Sequence, residues 1–250
     1  MKFLGIIPAR YASTRFPGKP LADIGGKSMI RRVYESASVV LQNVVVATDD
    51  PRIYDEVISF GGQSVMTLPD HQSGTDRCAE ALDQIEKSSP LSFDVIINIQ
   101  GDEPFIKAEQ IRAIQSCFTS REEVQIATLI KEIEDHAIIF DPNRPKVVTD
   151  KSGFALYFSR SPIPYLRNSG EGDWLKHHVF YQHIGMYAYT SQVLRKISKL
   201  PRGTLEKAES LEQLRWLEHG YSIKTAVTEL ESYGIDTPED LQRAIDQGLF

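Results

Sequence analysis

The chain has 250 residues, 41% hydrophobic and 25% charged, a composition typical of a folded protein with a substantial core. Its 34 acidic and 28 basic side chains give a net charge of −6, which argues against binding nucleic acid or a membrane surface through a basic face. No apolar run approaches the ~20 residues of a membrane span, the apolar N-terminal segment is too short for a signal peptide, and two cysteines are too few for a disulfide framework. We therefore expect a cytoplasmic protein that binds neither nucleic acid nor membrane.

Over the first 140 residues, short β-branched runs alternate with amphipathic stretches. The strand-like runs are apolar on both faces, as in a sheet covered by helices on both sides, and lie at 3–8, 44–47, 64–67, 95–99 and 125–129. Helical spacing of apolar residues predicts helices over 29–41, 50–60, 75–87 and 107–118. This β-α-β succession predicts an α/β fold with a doubly wound, mostly parallel sheet.

The alternation ends after about residue 140, where the pattern predicts antiparallel strands. Residues 147–149 and 154–158 flank a Lys-Ser-Gly turn and predict a hairpin, and 179–189 predicts a further strand. Helices near 190–197 and 205–219, a strand at 223–227 and a last helix from Thr237 follow. We expect one α/β domain over 1–250 with a mixed sheet and an inserted antiparallel lobe at approximately 145–190.

The predicted lobe strands carry an aromatic and Met-rich set of side chains. The set comprises Tyr157, Phe158, Tyr181, Met186 and Tyr189. Such a set on an exposed sheet is typical of an interface between molecules, which we expect here.

The loop after the first strand, residues 8–20, contains the cations Arg10, Arg15 and Lys19 and no acid. It begins at the carboxyl end of a predicted central strand, where open α/β sheets bind ligands. Its small residues allow the backbone to approach a ligand closely, and arginine and lysine neutralise phosphate oxygens. The loop therefore predicts a polyphosphate site, with a solvated basic loop as the alternative.

Two acidic segments supply candidate metal ligands. In the segment 98–104, Asp102 and Glu103 offer hard oxygens to a Mg²⁺ ion that bridges to substrate phosphates. Capping of the following helix is the alternative, and Glu103 fits it better than Asp102 does. In the segment 234–240, the residues after Asp236 form a helix start by themselves, which leaves Asp236 available to a metal.

A polar turn at 73–77 opens a predicted helix. Its N–H groups could bind a base or a phosphate, although helix capping alone accounts for its composition. The sequence has no Walker A loop, no dinucleotide-binding glycine motif after the first strand and no nucleophile elbow. These absences argue against a P-loop, a Rossmann dinucleotide site and a serine hydrolase.

Eight motifs follow one another along the chain, from Pro-Ala-Arg at 8–10 to Asp-Thr-Pro-Glu-Asp at 236–240. They lie at 8–21, 47–49, 73–75, 98–104, 157–160, 183–189, 211–215 and 236–240. In these motifs and their order the chain resembles the 3-deoxy-manno-octulosonate cytidylyltransferases (CMP-Kdo synthetases) over nearly its whole length. An ordered set of this size is far more specific than any single motif.

The resemblance implies transfer of CMP from CTP to the anomeric hydroxyl of Kdo, with Mg²⁺ as cofactor and release of pyrophosphate, for lipopolysaccharide biosynthesis. It also implies a nucleotide-diphospho-sugar transferase-like fold and a homodimer formed through the inserted lobe. Arg10 and Lys19 would act catalytically on the phosphates, and Asp102 and Asp236 would act catalytically as the Mg²⁺ ligands. The implied nucleotide site comprises Ala9, Arg10, Ser13, Arg15, Lys19, Ser73, Gly74, Thr75, Arg77 and Gln100. The implied sugar site comprises Arg160, His183, Tyr187, Glu212 and Gln213.

Some features leave alternatives open. Asp76 stands where such enzymes commonly carry Glu, so we assign no base recognition to its side chain. Arg160 could be a surface cation, and His183 and Tyr187 could simply share one face of a strand. The alternative functions are another sugar-acid cytidylyltransferase, acting on sialic acid or 8-amino-Kdo, and a non-catalytic CTP-binding module. The presence of both predicted metal carboxylates weighs against the binding module.

Overall fold

The structure, a computed structural model, describes residues 1–119 and 123–249. In these ranges we find no helix that combines the length and the apolar character needed to cross a lipid bilayer. The strands are β1 (Phe3–Ala9), β2 (Asp23–Ile24), β3 (Lys27–Ser28), β4 (Val44–Thr48), β5 (Ser64–Met66), β6 (Val95–Asn98), β7 (Ile126–Glu132), β8 (Lys146–Thr149), β9 (Ala155–Ser159), β10 (Tyr181–Thr190) and β11 (Ile223–Val227). The helices are α1 (Met29–Ser38), α2 (Pro51–Ser59), α3 (Gly74–Ser88), α4 (Ala108–Ser116), α5 (His136–Phe140), α6 (Trp174–His177), α7 (Ser191–Ile197), α8 (Thr204–Glu209), α9 (Gln213–Glu218) and α10 (Pro238–Asp246).

The chain divides into two compact units. The first comprises Met1–Arg112, Ala188–Ser198 and Ser232–Phe250. In it β1 pairs in parallel with β4 on one side and β6 on the other, and β4 pairs in parallel with β5. Helices α1, α2 and α3 pack against these strands. Because helices cover the sheet, β4 and β6 are buried along their whole length, which explains their unbroken β-branched runs.

The second unit comprises Ala113–Tyr187 and Lys199–Glu231. In it β7 pairs in parallel with β11, while β8 is antiparallel to both β9 and β10. Part of its core is aromatic. Trp174 stacks on Phe180, with 5.7 Å between the ring centroids. Ile133 and Ile139 complete this cluster.

The predicted fold class is confirmed as α/β with a mixed, mostly parallel sheet and flanking helices. The strands and helices predicted before residue 120 occur at the expected places, with ends that differ by up to three residues. The hairpin at 147–158 is present as β8 and β9. Thr237 caps α10 and exchanges hydrogen bonds with Asp240, as the sequence indicates.

The predicted single helix over 205–219 is wrong. Ser210 takes a left-handed conformation with φ of 52°, and it separates α8 from α9. The sequence pattern also gave no indication of α5 and α6. These helices have five and four residues, too few to reveal a 3.6-residue period.

The predicted aromatic face of the lobe is largely interior. Phe158, Met186 and Tyr189 are each at most 1% exposed, so these three side chains form core, and the prediction that all five are exposed is wrong. Large apolar side chains that this unit does expose include Leu156, Tyr165 and Val179. The organisation as one domain with an insertion at 145–190 stays a prediction.

Candidate active site

A cavity of about 280 Å³ opens in the first unit beside the carboxyl ends of β1 and β6. All the residues predicted for the nucleotide line it except Thr75, which is buried in α3. Asp102 and Asp236, the predicted metal ligands, line it as well. Its wall also includes residues that the motifs did not single out as ligands: Pro8, Pro20, His71, Gln72 and Gly101. A cavity at this edge of the sheet is in the position where α/β sheets bind ligands.

The loop after β1 folds around Tyr11. Its carbonyl oxygen accepts hydrogen bonds from the N–H groups of Ser13 and Gly18, at 2.9 and 3.0 Å. Gly18 has φ of 72°, and a Cβ there would lie 3.1 Å from the Tyr11 ring, so glycine is needed on both counts. The guanidinium of Arg52 lies 3.3 Å from the centroid of the same ring. These contacts tie the cationic loop to α2.

Two glycines allow neighbouring chain segments to approach each other in the wall of the cavity. A Cβ at Gly101 would lie 2.9 Å from the carbonyl oxygen of Pro8. A Cβ at Gly74, the first residue of α3, would lie 3.2 Å from the Pro8 ring. Larger residues would force the ends of β1, β6 and α3 apart, which explains the small residues in these two motifs.

At one end of the cavity, two carboxylates share one cation. The Lys19 ammonium lies 2.8 Å from Asp102 Oδ2 and 3.1 Å from Asp236 Oδ1. Arg15 lies 3.0 Å from the other oxygen of Asp236. The Lys19 side chain is only 12% exposed, whereas those of Asp102 and Asp236 are 34% and 47% exposed. The sequence places no acid near Lys19, and the fold brings two to it.

Asp236 meets Asp102 because the chain before α10 is held to the turn after β6. The N–H of Ile235 donates to the carbonyl oxygen of Asp102 at 2.9 Å. Next to it, the Ser232 hydroxyl donates to Glu103 Oε2 at 2.7 Å. Burial raises the pKa of Glu103 to about 7, the Ser232 hydrogen bond opposes the rise, and the neighbouring charge of Asp102 adds to it. Glu103 therefore joins two segments, a role that helix capping did not predict.

The other end of the cavity is formed by the start of α3. Ser73 caps this helix, with its hydroxyl accepting from the N–H of Asp76 at 3.2 Å. Arg77 is buried, donates to Thr67 Oγ1 at 2.5 Å and lies 3.3 Å from Asp49 Oδ2. Asp49 therefore balances the charge of Arg77 at this end of the cavity, whereas Arg15 and Lys19 share Asp236 at the other.

The residues predicted for the sugar all lie in the second unit, directly after β9, on β10 and at the start of α9. His183 and Tyr187 are ring neighbours, with centroids 5.2 Å apart. Tyr187 in turn contacts Trp216 of α9 edge to face at 5.0 Å. Gln213, the first residue of α9, is 4% exposed, and its Nε2 has no hydrogen-bond partner among the described residues. An unsatisfied buried amide of this kind is available to a polar ligand.

His183 and Arg160 differ in their freedom to bind an anion. Burial lowers the pKa of His183 to about 3, so its ring, 2.9 Å from Thr128 Oγ1, is neutral near pH 7. The Arg160 guanidinium donates to the backbone carbonyl oxygens of Glu209, Ser210 and Pro142. Arg160 thus has a structural task in this conformation, which neither the sugar-site prediction nor the surface-cation alternative included.

The donor set fits a magnesium ion at the Lys19 end of the cavity. Asp102 and Asp236 already approach one cation from two sides, and Mg²⁺ in phosphate-binding sites commonly takes one or two carboxylates together with substrate phosphates and water. Within 1–119 and 123–249 no group of three or more His, Cys, Asp or Glu residues forms a metal site. The arrangement therefore suits a metal that arrives with a phosphate ligand rather than a site built from protein side chains alone.

Comparison with known proteins identifies close relatives. Residues 4–225 match the model of the family described as Cytidylyltransferase. The chain is 58% identical over 249 residues to 3-deoxy-manno-octulosonate cytidylyltransferase of Parabacteroides distasonis, covering 98% of this chain and 97% of the relative. It is also similar to a solved structure of CMP:2-keto-3-deoxy-manno-octonic acid synthetase complexed with CTP, with a TM-score of 0.90, 42% identity, and coverage of 99% of this chain and 98% of that one.

A more distant likeness concerns the fold alone. The 4-diphosphocytidyl-2C-methyl-D-erythritol synthase of Anaerococcus prevotii is 13% identical, with a TM-score of 0.63 and coverage of 100% of this chain and 99% of that one. The predicted nucleotide-sugar transferase-like fold is therefore confirmed.

Proposed function

Because this chain belongs to the 3-deoxy-manno-octulosonate cytidylyltransferases, we propose that it transfers CMP from CTP to the anomeric hydroxyl of Kdo and releases pyrophosphate. The observation that carries the proposal is the cavity of the first unit, where cations and two carboxylates meet at one end and a helix start lies at the other. A nucleoside triphosphate has the same polarity, with charged phosphates at one end and a neutral base at the other. The CMP-Kdo that the proposed reaction forms would serve lipopolysaccharide biosynthesis.

The phosphates of CTP occupy the Lys19 end of the cavity in this proposal. Arg15 and Lys19 both contact Asp236 at that end, Arg10 and Ser13 of the same loop line the cavity, and all four would contact the triphosphate. The start of α3 would receive the cytosine through Ser73, Gly74 and Arg77, with Thr75 buried behind them in the helix, and Ala9 and Gln100 line the same cavity. Free N–H groups at the first turn of a helix are donors, which suits the O2 and N3 acceptors of cytosine.

Mg²⁺ would be held by Asp102 and Asp236. When bound there, the metal ion would supply Lewis-acid stabilisation of phosphate charge and would favour loss of the sugar hydroxyl's proton. Lys19, which contacts both carboxylates, would then be available to the phosphates. A cation that neutralises carboxylates before the reaction and phosphates during it keeps the site close to charge balance throughout.

The sugar would be bound by the second unit. Gln213 offers a buried amide donor, and Glu212 and Tyr187 add polar groups around it. His183 is neutral, so it would bind a sugar hydroxyl rather than pair with the Kdo carboxylate. Arg160 is the cation in the predicted set and would approach the carboxylate through a hydrogen bond beyond its three backbone partners.

In the reaction, the anomeric oxygen attacks the α-phosphorus in line with the leaving pyrophosphate. The new P–O bond forms as the bond from the α-phosphorus to the bridging oxygen breaks, pyrophosphate takes the electron pair, and the proton of the hydroxyl passes to water. Both substrates are anions, so catalysis depends on positioning them and on neutralising charge. Arg10 and Lys19 would stabilise the charge that develops on the pyrophosphate. The chain needs to form no covalent intermediate.

The test is pyrophosphate release with CTP, Mg²⁺ and one of three sugars. We expect turnover with Kdo, little with sialic acid, and a measurable ranking of 8-amino-Kdo against Kdo. Equal or faster turnover of sialic acid would assign the chain to another sugar-acid specificity. CTP binding without release in the presence of any of the three sugars would instead favour the non-catalytic binding module.

The proposed assembly is a homodimer formed through the inserted lobe. Leu156, Tyr165 and Val179 are 62%, 71% and 45% exposed in the second unit, and a dimer formed through the lobe would cover such apolar side chains. Sedimentation at micromolar concentration should give a dimer, and Leu156→Glu together with Val179→Glu should give a folded monomer. A monomeric parent chain would contradict the proposal.

The proposed cytoplasmic location rests on the CTP substrate and on two buried cysteines that form no disulfide.

A further inference from the structure

His71 and Glu80 form a pair at the end of the cavity where α3 begins. Neither residue belongs to one of the eight motifs, although both lie near the motif at 73–75. His71 is one of the residues that line the cavity, and its side chain is 18% exposed. Its Nε2 forms a short hydrogen bond with Glu80 Oε2. Glu80 lies in α3, seven residues after the cap Ser73. The helix that begins at the cavity therefore also carries the hydrogen-bond partner of His71.

Glu80 is held as a carboxylate that can only accept. Besides His71, Oε2 accepts from the N–H of Leu68 at 2.9 Å, and Oε1 accepts from Gln84 Nε2 at 2.8 Å. Burial opposes its charge, but these hydrogen bonds outweigh burial and lower the pKa of Glu80 below its usual value. The proton of the hydrogen bond therefore sits on His71 Nε2, which leaves the lone pair on Nδ1 in the neutral ring.

Nδ1 of His71 forms no hydrogen bond in the part of the chain that the structure describes. The other polar groups at this end of the cavity have different characters. The first N–H groups of α3 are donors, and Arg77, also a donor, is already bound to Thr67 and Asp49. An acceptor on His71 thus complements a set of donors.

We propose that His71 Nδ1 accepts a hydrogen bond from the 4-amino group of the cytosine and thereby distinguishes CTP from UTP, with Glu80 as the positioning residue that fixes the ring. Cytosine offers a donor at C4 and acceptors at N3 and O2. Uracil has an oxygen at C4, which would meet the Nδ1 lone pair without a proton between them. A buried site rejects a ligand that leaves its polar groups unpaired, and this is the physical basis of the discrimination.

This assignment rests on the proposed function, because it places the base at the α3 end of the cavity. The decisive ligand is the triphosphate of 2-pyrimidinone riboside, which is CTP without its 4-amino group. Binding of CTP, UTP and this analogue is measured by calorimetry without sugar, so no turnover is needed. For the parent chain, we expect the analogue to bind about 10- to 100-fold more weakly than CTP, the scale of one lost hydrogen bond in a desolvated site.

Two substitutions of equal shape separate the acceptor from the packing of His71. In His71→Asn the side-chain oxygen can take the place of Nδ1, whereas His71→Leu has the same outline and no acceptor. We expect His71→Leu to bind CTP and the analogue within about 3-fold of each other, and His71→Asn to keep most of the parent's preference for CTP. Glu80→Gln should reduce the preference less than His71→Leu does, since the ring stays but is less firmly oriented.

Each other outcome has a definite meaning. If His71→Leu keeps the parent's preference, or if the Asn and Leu variants behave alike, the proposal is overturned and His71 only packs the wall. His178→Leu, the same replacement at a histidine that does not line this cavity, should leave the preference unchanged and is the control for general damage. A parent chain that fails to bind CTP at all would refute the proposed function itself, which is a different result from CTP binding without discrimination at C4.

Discussion

Replacing Lys19 by methionine tests whether its ammonium acts as the counter-ion of the two acidic residues. Methionine keeps most of the unbranched apolar stem of lysine and removes the ammonium with its charge and hydrogen bonds. In the structure that charge lies between Asp102 and Asp236 and is almost fully shielded from solvent. A metal ion that binds the same two carboxylates must first displace the ammonium. The variant should therefore be less stable without ligands and bind a divalent metal more tightly.

The geometry sets the size of both effects. Lys19 Nζ lies 2.8 and 3.1 Å from the two carboxylate oxygens, so these oxygens can be no more than about 6 Å apart. The variant loses the attraction of the ammonium to each carboxylate, which at about 3 Å is about 1.4 kcal/mol in bulk water and about 5.5 kcal/mol at an effective dielectric constant near 20. Because Asp102 and Asp236 are a third to a half exposed, we take about 1 kcal/mol. For a chain of this size, that lowers the melting temperature by about 2–4 °C.

The assay is Mn²⁺ binding by electron paramagnetic resonance in the absence of nucleotide, together with thermal unfolding. We expect Lys19→Met to bind Mn²⁺ about 5- to 10-fold more tightly than the parent, since 1.4 kcal/mol corresponds to a factor of ten. Turnover with CTP and Kdo should nevertheless fall by about 10²- to 10³-fold, because a charge proposed to stabilise the phosphates is lost. Lys27→Met is the matched control, as Lys27 pairs with Glu35 outside the cavity and should alter neither metal affinity nor turnover.

Weaker or unchanged Mn²⁺ binding in Lys19→Met would refute the counter-ion argument. It would mean that the metal and the ammonium do not compete for the same oxygens. Near-normal turnover at saturating CTP would refute the second half of the reasoning, and Lys19 would then be a structural cation only.

Two further predictions concern Asp102 with Asp236, and His183. In a double-mutant cycle of Asp102→Asn and Asp236→Asn, each change should lower turnover steeply and the double variant should be little worse than either, because both serve one metal; multiplicative losses would separate them. His183 has a pKa of about 3 in the folded chain against 6.5 for the free ring, so between these values only the unfolded chain takes up the proton. The free energy of unfolding is therefore highest above pH 6.5 and falls as the pH drops toward 3. His183→Gln should therefore lose less melting temperature than the parent between pH 7 and 4.5, and parallel curves would contradict the burial of a neutral ring.

The sequence predicts the first half of the chain well because local patterns determine it. β-branched runs flanked by amphipathic helices have few packing solutions other than a covered parallel sheet, and β1, β4 and β6 follow that rule. The cationic loop after β1 could also be identified, since small residues and cations at the end of a central strand have a recognisable chemistry. In each of these cases the signal lies within about twenty consecutive residues.

The contacts of Lys19 could not be predicted from local sequence. Asp102 and Asp236 are 83 and 217 residues away, and a hydrogen bond from Ile235 to the carbonyl oxygen of Asp102 brings them together. No residue pattern predicts this backbone hydrogen bond, because any residue other than proline supplies the same N–H donor. A role of His71 in the cavity could not be predicted for a similar reason. Its partner Glu80 lies on another element, and a histidine before a helix has many ordinary roles.

The break between α8 and α9 shows how tertiary contacts override a helical pattern, and it leads to a last prediction. Ser210 takes the left-handed conformation, which costs a residue other than glycine about 1 kcal/mol. Arg160 holds it there by donating to the carbonyl oxygens of Glu209 and Ser210, at 2.6 and 3.2 Å, and the Glu209 carboxylate accepts from the Arg160 N–H at 2.9 Å. The break then starts a new helix with Gln213 buried at its first turn.

Ser210→Gly removes the conformational cost and keeps every one of these backbone partners, because Arg160 contacts only the carbonyl oxygen of Ser210. The variant should be more stable by up to about 1 kcal/mol, or about 2–4 °C in melting temperature, with turnover unchanged. Ser210→Val should be less stable than the parent, since a β-branched residue tolerates this conformation worst. If the glycine variant were instead less stable than the valine variant, the left-handed turn would not be present in solution, and the continuous helix that the sequence pattern favours would be the better description of this segment.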